Sequence, residues 1–456
     1  MSIAVPLLIP WFAGAALALL DGRRRWVAWS AVGALAATFV ATCALAAVAG
    51  GENSVTVAGG WPAGVGIALK ADALGVLFAV ISNGVLLAAL VFEVSAGVRS
   101  RLFPALTLFL SAGLTGLFLT ADVFNFYVFF ELAMIAAYSL AVYGDEARQL
   151  RAGFIFAVVN LLGSFLFLIG IAAIYHVTGT LDMAAVAERI AAVEPNAVIL
   201  IAIAIFVAFG VKLGLFPFHF WLPTVYGSAT PGVAAMLSGA VANIGSYGIL
   251  RFGPGILPEG VRLGATVLIV IGTLSILYGA LQAISRRSSQ EVLAYSAIGQ
   301  AGYVLIAIGL GGPAGLTAAI VYAVVNSLNK ALLFLSTGVR GFLVGAAFVV
   351  GAFSVAGVPP SAGFFGKVEL FRAGVVEDSA ALVALIFLGG ALSFVYMFQI
   401  YQHEFWGPSR RSGPESPAAV RAVAVGLAAL VIAVGLWPEP LLSASREAAG
   451  VLGGGG

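Results

Sequence analysis

The sequence predicts an all-α protein that crosses a membrane many times, with about fourteen transmembrane helices. Hydrophobic residues make up 61% of the chain and charged residues only 9%, whereas soluble domains carry about 25% charged residues. The mean hydropathy is +1.09. Apolar runs of about 18 or more residues recur along the whole chain, and each is long enough to cross a hydrocarbon core of about 30 Å.

The apolar runs are continuous, which favours helices over a transmembrane barrel. Barrel strands are segments of roughly ten residues in which polar and apolar positions alternate. A spanning helix instead satisfies every backbone hydrogen bond within its own segment.

Charged residues, prolines and glycines separate the apolar runs and so define the predicted helices. Asp72 and Asp122 are expected at helix starts, where a carboxylate favours the helix dipole. Segment 181–194, "LDMAAVAERIAAVE", is too polar to span and is expected at the membrane interface. The predicted spans lie near 3–20, 26–49, 71–96, 102–120, 121–143, 152–176, 196–222, 231–251, 263–285, 293–311, 314–337, 341–373, 380–402 and 419–437.

Loop charges predict the orientation of the chain, because cytoplasmic loops carry an excess of lysine and arginine. The odd-numbered connections hold thirteen basic residues, and the even-numbered connections and the C-terminus hold six. We therefore expect the odd connections in the cytoplasm and both termini on the opposite side. The thirteen are Arg23, Arg24, Arg25, Arg99, Arg101, Arg148, Arg151, Arg286, Arg287, Arg340, Arg410, Arg411 and Arg421.

Three of the four lysines, Lys212, Lys330 and Lys367, fall inside predicted spans, whereas the arginines lie in loops or near helix ends. A charge at the bilayer centre costs about 2.5–3.5 kcal/mol on insertion scales. A desolvated lysine can release its proton near neutral pH, but arginine stays protonated. This distribution favours a proton pathway. Snorkelling to the interface and a structural ion pair are the alternatives.

One acidic residue stands out among the spans. Glu131 lies in "FNFYVFFELAMIAAYSLAVYG", far from both ends of its helix. A buried glutamate beside a buried lysine holds both groups charged, and separating the two groups favours their neutral forms. Glu131 and Lys212 are therefore candidates for a proton switch. Glu93, close to a helix end, is expected to reach the interface.

Two segments have the composition of broken helices. The first, "FGVKLGLFPFHFWLP" at 209–223, places His219 between two prolines, and the second is "GAFSVAGVPPSAGFFGKVELF" at 351–371. Irregular backbone at membrane depth is tolerated where it is buried in protein or lines a watery cavity. Paired interruptions in transporters mark the ion path, whereas a single proline kink often serves packing alone.

Further polar residues in the middle spans could order water or carry protons. Each alone is more often a hydrogen bond between helices, but their concentration after residue 240 indicates a hydrated axis. They are Asn160, Asn243, Ser246, Tyr247, Gln300, Asn326 and Asn329.

Composition also excludes several functional classes. Cys43 is the single cysteine and the three histidines lie far apart, so we expect no metal site and no cofactor. The sequence carries no nucleic-acid-binding signature.

A series of motifs resembles the antiporter-like subunits shared by respiratory complex I, membrane-bound hydrogenases and Mrp-type multisubunit cation/proton antiporters, in particular the Mrp D subunits. The similarity covers roughly residues 55–405. The motifs are "GGWPAGVGIALKADALGVLF", "FNFYVFFELAMIAAYSLAVYG", "LLGSFLFLIGIAAIYHVTGTLDMA", "GVKLGLFPFHFWLPTVYGSATP", "SGAVANIGSYGILR", "LAYSAIGQAGYVL", "NKALLFLSTG", "GVPPSAGFFGK" and "FWG".

The resemblance implies fourteen core helices in which helices 4–8 and 9–13 form two inverted five-helix repeats, with helices 7 and 12 broken. It divides the chain into an N-terminal segment, two repeats and a C-terminal helix with a tail. By motif position, Glu131, Lys212, Lys330 and Lys367 match the family's ion-path residues, and His219 falls in the turn after helix 7. The four divisions are 1–101, 102–251, 252–402 and 403–456.

The chain departs from the family pattern at three positions. Family members usually carry a lysine where this chain has Asn243, and histidines are common at the positions of Gln300 and Asn326. The residues present can order water and pass protons, but they cannot store charge.

The resemblance implies a cell-membrane subunit that moves protons, exchanged for sodium or another monovalent cation, within a multisubunit Mrp-type antiporter. A proton-pumping subunit of a complex I-like or hydrogenase-type redox complex is the main alternative, with the redox chemistry in partner subunits. A coupling subunit for inorganic carbon or another solute, and a scaffold that has lost transport, are further alternatives. In each case we expect the lipid bilayer and other membrane subunits as partners.

Overall fold

The computed structural model describes residues 2–47, 55–57, 66–144, 146–406 and 415–453, and within these ranges the chain is mostly helical. Eleven of the described helices are long and apolar enough to cross a bilayer, and three shorter apolar helices add to them. The prediction of an all-α, multi-pass membrane protein is confirmed. The count of fourteen spans and the inverted repeats stay predictions, and Arg410 and Arg411 lie outside the described residues.

The helices follow the predicted spans in order and position. Two begin five residues earlier than predicted, at Ala147 and Pro258, because their first turns carry charged or amide side chains that do not extend the apolar run. The helices are α1 (Val5–Ala18), α2 (Arg25–Ala46), α3 (Ala73–Ala96), α4 (Phe103–Leu119), α5 (Val123–Ala141), α6 (Ala147–Thr178), α7 (Met183–Ile190), α8 (Pro195–Leu213), α9 (Leu222–Ser228), α10 (Pro231–Met236), α11 (Asn243–Phe252), α12 (Pro258–Ser285), α13 (Ser289–Leu310), α14 (Gly312–Ser336), α15 (Phe342–Ala356), α16 (Ala362–Val376), α17 (Ala380–Tyr401), α18 (Ala418–Leu436) and α19 (Glu439–Leu452).

Three helical stretches form the centre of the protein. In their apolar stretches, 94% of the residues of Pro231–Phe252 and α14 and 89% of those of α13 are buried, against 33% for α2, α17 and α18. Polar groups on these central helices are thus shielded from lipid. A path for ions would have to lie in such a shielded interior.

The first predicted break lies between α8 and α9. Gly214 ends α8 in the left-handed region, with φ of +70°, and a 3₁₀ turn over Phe218–Trp221 leads into α9. Trp221 Nε1 donates to the Val211 carbonyl at 2.9 Å, and Phe216 N donates to Ser275 Oγ at 3.1 Å. The break is therefore an ordered structure in which neighbouring side chains satisfy the freed backbone groups.

The second predicted break lies between α15 and α16. Gly357 ends α15 with φ of +83°, and Pro359 and Pro360 follow before α16 begins. Ser354 Oγ accepts from Gly363 N at 2.9 Å and so joins the two helices across the break. Both interruptions thus fall where proline and glycine predict them.

Three features of the structure were not predicted. Strands β1 (Val55–Val57) and β2 (Ala68–Lys70) form an antiparallel hairpin between α2 and α3, with Val55 opposite Lys70. A π-helical segment over Leu237–Val241 separates α10 from α11. The predicted C-terminal tail contains α19, which buries Leu442, Ser445 and Leu452 and packs against α3 and α14. The strands are too short and α19 is too polar to be predicted as spans. The π-helical segment lies inside the predicted span 231–251.

The capping predictions are confirmed and the expectation for Glu93 is wrong. Asp72 caps α3 by accepting from Gly75 N, and Asp122 caps α5 by accepting from Asn125 N. Glu93 is buried and accepts a 3.0 Å hydrogen bond from Thr230 Oγ1, at the start of α10. The packing of α10 against the end of α3 closes the route to the interface. The helix α7 covers part of the predicted interfacial segment, whose depth in the membrane stays a prediction.

Candidate functional site

All three intramembrane lysines are buried. Lys212 lies in the last turn of α8, Lys330 in α14 and Lys367 in α16, and their exposed fractions are 3%, 0% and 5%. These values exclude snorkelling, which would bring the ammonium group to the surface. Among the described residues, none of the three forms an ion pair within 4.0 Å.

Lys212 has an aromatic ring and a carboxylate nearby but forms no hydrogen bond within the described part of the chain. Its Nζ lies 4.3 Å from the centre of the Phe130 ring, a cation–π distance. The next residue along α5 is Glu131, whose carboxyl group is close enough to interact electrostatically with Lys212. Both Lys212 Nζ and Glu131 Oε1 are buried without a partner in the described part of the chain. The lysine is thus held near a carboxylate without being locked to it.

Two tyrosines lie on the same helical face as Glu131. Tyr127 precedes it by four residues and Tyr138 follows it by seven, spacings that align side chains along one face of α5. The Tyr138 hydroxyl is buried and has no partner among the described residues. The sequence spacing could have identified both tyrosines.

His219 lies in the 3₁₀ turn of the first break. Its ring lies 5.6 Å from the Phe216 ring and 4.5 Å from the Tyr278 ring, measured between centroids. The Nδ1 atom is buried and unpartnered within the ranges that the structure covers. The imidazole is thus held between two aromatic rings, and its Nδ1 has no partner among the described residues.

Asn243 ties three helices together at the end of the π-helical segment. Its Nδ2 donates to Ser82 Oγ at 3.0 Å and to the Gly239 carbonyl at 3.1 Å, and its Oδ1 accepts from Ser327 Oγ at 2.8 Å. We call Ser82, Asn243 and Ser327 the Asn243 cluster. It joins α3, α11 and α14, and π-helical bulges are often found at functional sites. The two serines were not predicted.

Tyr247 lies in a different cluster from the lysines. Its hydroxyl donates to the Phe118 carbonyl at 3.0 Å and accepts from Arg251 Nε at 3.1 Å and Nη2 at 2.9 Å. Arg251 Nη2 also pairs with Asp72 Oδ1 at 2.7 Å. The predicted span 231–251 ends at Arg251, and the last turn of α11 carries it there, but its burial against Asp72 was not predicted.

A chain of hydrogen bonds extends from Lys330. Its Nζ donates to Ser296 Oγ at 2.8 Å, and Ser296 lies 3.1 Å from the Tyr396 hydroxyl. Gln300 Nε2 donates to that hydroxyl at 3.3 Å, and Gln300 Oε1 accepts from Tyr322. The structure therefore brings Lys330 and Gln300 into one cluster with three hydroxyl residues that were not predicted. Ser296 and Gln300 are four residues apart on α13, a spacing that places them on one face.

Lys367 lies against the second break. Its Nζ donates to the Ala356 carbonyl, at the end of α15, at 2.9 Å. It also lies 5.5 Å from the centre of the Tyr303 ring. Gly357 and Gly390 make room for this side chain, since a Cβ at Gly357 would overlap it and one at Gly390 would lie 2.9 Å from its Nζ. Lys367 thus satisfies a carbonyl that the helix break frees.

Asn326 is partly buried one turn before Lys330 on α14. Its Oδ1 atom has no partner in the described residues, and the same holds for Asn329. An unpartnered amide oxygen at membrane depth suits a site where water or a cation binds.

Comparisons with known proteins identify the family of the chain. A profile of the family "NADH:quinone oxidoreductase/Mrp antiporter, TM" matches residues 120–342. The chain is 31% identical to the D-type subunit of the Na⁺/H⁺ antiporter of Alkalihalophilus pseudofirmus over 478 aligned positions, covering 98% of this chain and 96% of that protein.

Solved structures agree with this assignment. A chain of the Mrp complex from Dietzia sp. has a TM-score of 0.88 and 28% identity, covering 99% of this chain and 96% of that one. A chain of the membrane-bound sulfane sulfur reductase, an archaeal respiratory membrane complex, has a TM-score of 0.89 and 25% identity, with the same coverage. The chain therefore belongs to the family of D-type subunits of Mrp Na⁺/H⁺ antiporters, within the wider family of membrane subunits related to NADH:quinone oxidoreductase.

Proposed function

We propose that this antiporter subunit moves protons through two half-channels, and that Glu131, Lys212, Lys330 and Lys367 carry them in exchange for sodium or another monovalent cation. The observation that carries the proposal is the unpartnered pair at the first break. Lys212 Nζ and Glu131 Oε1 are both buried without a hydrogen bond in the described residues.

The cost of burying charge explains why such groups would exchange protons. An isolated charge in a low-dielectric interior is strongly disfavoured, so the group changes its protonation state when its surroundings change. A nearby carboxylate favours the charged lysine, and loss of that influence favours the neutral amine. Glu131 and Lys212 can therefore alternate between two states without forming a fixed salt bridge.

The remaining candidates belong to a second half-channel and to the positions where water would reach the path. Lys330 lies at the protein centre, and Lys367 lies at the second break. His219 at the first break could exchange protons with water. Asn243, Gln300 and Asn326 could order water between the lysines, whereas Tyr247 is bonded to Arg251.

The proposed half-channels correspond to two inverted repeats, helices 4–8 within 102–251 and helices 9–13 within 252–402. They lie between an N-terminal segment (1–101) and a C-terminal one (403–456). Both termini are proposed to face away from the cytoplasm in the cell membrane.

The test is cation/proton exchange in everted vesicles that contain the whole complex. Lys212→Met and Glu131→Gln remove the charge and nearly conserve side-chain volume, so each is expected to abolish sodium-dependent collapse of a pH gradient. Lys70→Met is the matched control, because Lys70 is the remaining lysine and lies on β2. Exchange at the parental rate in fully assembled Lys212→Met and Glu131→Gln complexes would exclude the proposal.

A redox-driven complex is the second candidate, because a chain of the sulfane sulfur reductase complex has the same fold at a TM-score of 0.89. The two assignments differ in their partner subunits. Co-purification of the chain with small antiporter subunits would support an antiporter complex. Co-purification with iron–sulfur subunits would support a redox-driven complex.

A further inference from the structure

Helix α17 carries a polar stripe between Lys330 and Lys367. Gly389, Gly390, Ser393 and Tyr396 lie along one face of this largely apolar helix, and we call them the α17 stripe. No residue of the stripe belongs to the proposed set of proton carriers. Ser393 and Tyr396 are nonetheless buried in the protein interior.

Hydrogen bonds connect the stripe to Lys330. Tyr396 Oη lies 3.1 Å from Ser296 Oγ, which accepts from Lys330 Nζ. Tyr396 Oη donates to Ser393 Oγ at 3.0 Å, and Ser393 Oγ donates to the Gly389 carbonyl at 2.7 Å. Three hydroxyl groups thus form an unbroken series from the ammonium of Lys330 to the glycine pair.

Each hydroxyl in this series has one proton, which fixes the direction of the bonds. Ser393 donates to Gly389 and Tyr396 donates to Ser393, so the Ser296 hydroxyl must be the donor to Tyr396. Every donor therefore points away from Lys330 and towards the glycine pair. This orientation is the one required to move a proton out of Lys330.

The glycine pair brings the series close to Lys367. A Cβ at Gly389 would overlap the Tyr303 hydroxyl, and a Cβ at Gly390 would lie 2.9 Å from Lys367 Nζ. The Tyr303 hydroxyl is buried without a partner in the described residues, and its ring lies 5.5 Å from Lys367 Nζ. Both glycines therefore face groups at the Lys367 end of the path.

Gln300 has a different role from the hydroxyls. Its Nε2 donates to Tyr396 Oη, while its Oε1 accepts from Tyr322. A carboxamide has no readily exchanged proton, so Gln300 cannot pass one along. By occupying an acceptor site of Tyr396, it directs the tyrosine proton towards a serine and acts as a positioning residue.

We infer that the α17 stripe connects Lys330 to Lys367, with Ser296, Tyr396 and Ser393 passing the proton; this inference rests on the proposed function. Lys330 gives a proton to Ser296 as Ser296 gives its own to Tyr396 and Tyr396 gives its own to Ser393. The Ser393 hydroxyl turns away from the Gly389 carbonyl and gives its proton to water, which the Tyr303 hydroxyl can bind. That water passes a proton to the neutral amine of Lys367. Lys330 ends neutral, Lys367 ends charged, and each hydroxyl keeps one proton.

The decisive experiment compares Ser393→Ala with Ser393→Thr in the whole complex, with exchange measured in everted vesicles. Only the alanine variant lacks the hydroxyl, so its exchange rate is expected to fall by roughly tenfold or more while the threonine variant stays near the parental rate. Tyr396→Phe is expected to fall similarly, and Tyr401→Phe, at the end of the same helix, serves as its control. Assembly of the complex is followed by co-purification.

The outcomes separate the inference from the proposed function. If Lys330→Met abolishes exchange while Ser393→Ala and Tyr396→Phe keep the parental rate, the stripe is not the connection and the lysine pathway stands. Equal losses in Ser393→Ala and Ser393→Thr would also overturn the inference, because they would reflect packing. If Lys330→Met itself exchanges normally, the proposed function fails.

Discussion

Arg251 Nη2 lies 2.7 Å from Asp72 Oδ1, and this ion pair joins the last turn of α11 to the residue that caps α3. The two side chains are 12% and 8% exposed. Tyr247 accepts two further hydrogen bonds from the guanidinium, and Asp72 also accepts from Gly75 N. Because the carboxylate and the guanidinium are held by these bonds to both helices, the cluster fixes α3 against α11 rather than storing a mobile proton.

Breaking this pair from one side is expected to destabilise the protein. Asp72→Asn leaves a buried guanidinium without its counter-charge, and removal of one partner of a buried ion pair costs about 3–5 kcal/mol. The measurement is thermal unfolding of the detergent-purified complex, and we expect a lower midpoint and less protein in the membrane. The double variant Asp72→Leu/Arg251→Met should lie closer to the parent.

Asp21→Asn is the control for this experiment. Asp21 pairs with Arg23 on the surface, and an exposed pair contributes little to stability. If Asp72→Asn has the same thermal unfolding midpoint as Asp21→Asn, the buried ion pair does not stabilise the packing of α3 against α11.

Gly435 on α18 lies directly against the second break, and alanine there is expected to be destabilising. A Cβ would overlap the Pro360 carbonyl, so α18 must move away from the break. A Cβ at Gly426, nine residues earlier on the same helix, would meet nothing within 4 Å among the described residues. Alanine is better than glycine in a helix by about 0.5–1 kcal/mol, so the two variants should shift the unfolding midpoint in opposite directions. If both variants shift the unfolding midpoint in the same direction, the contact between α18 and the second break does not stabilise the protein.

Replacement of Asn243 by alanine is expected to lower stability and slow exchange while leaving its pH profile in place. The Ser82 hydroxyl would lose its amide partner, and a buried polar group without a partner costs about 1–3 kcal/mol. An amide holds no titrating proton, so the pH values at which the exchange rate is half-maximal should not change. Vesicle exchange measured across a pH series tests this, and a displaced midpoint would assign Asn243 a direct influence on a titrating group.

Sequence patterns predicted the spans, the two breaks and the positions of the buried lysines, because run length, proline and lysine each carry a local signal. They did not predict the partners of those residues. A serine such as Ser327 or a tyrosine such as Tyr396 reads the same whether it faces lipid or another helix, and only the packing of helices distant in sequence decides which. The burial of Arg251 was not predicted for the same reason, since its partner Asp72 lies 179 residues away.

Replacement of Lys212 by arginine distinguishes a fixed positive charge from a group that must release its proton. Lys212→Arg keeps the positive charge beside Phe130 and near Glu131, but a guanidinium does not release its proton in proteins. If Lys212 serves only as a fixed charge, the arginine variant should exchange cations at close to the parental rate. If Lys212 must lose its proton, exchange should fall to the level of Lys212→Met although the complex assembles.

We expect exchange by Lys212→Arg to fall to the level of Lys212→Met in everted vesicles, with Lys70→Arg on β2 as the matched control. Exchange by the arginine variant at close to the parental rate would restrict Lys212 to an electrostatic role and leave proton transfer to the other buried groups.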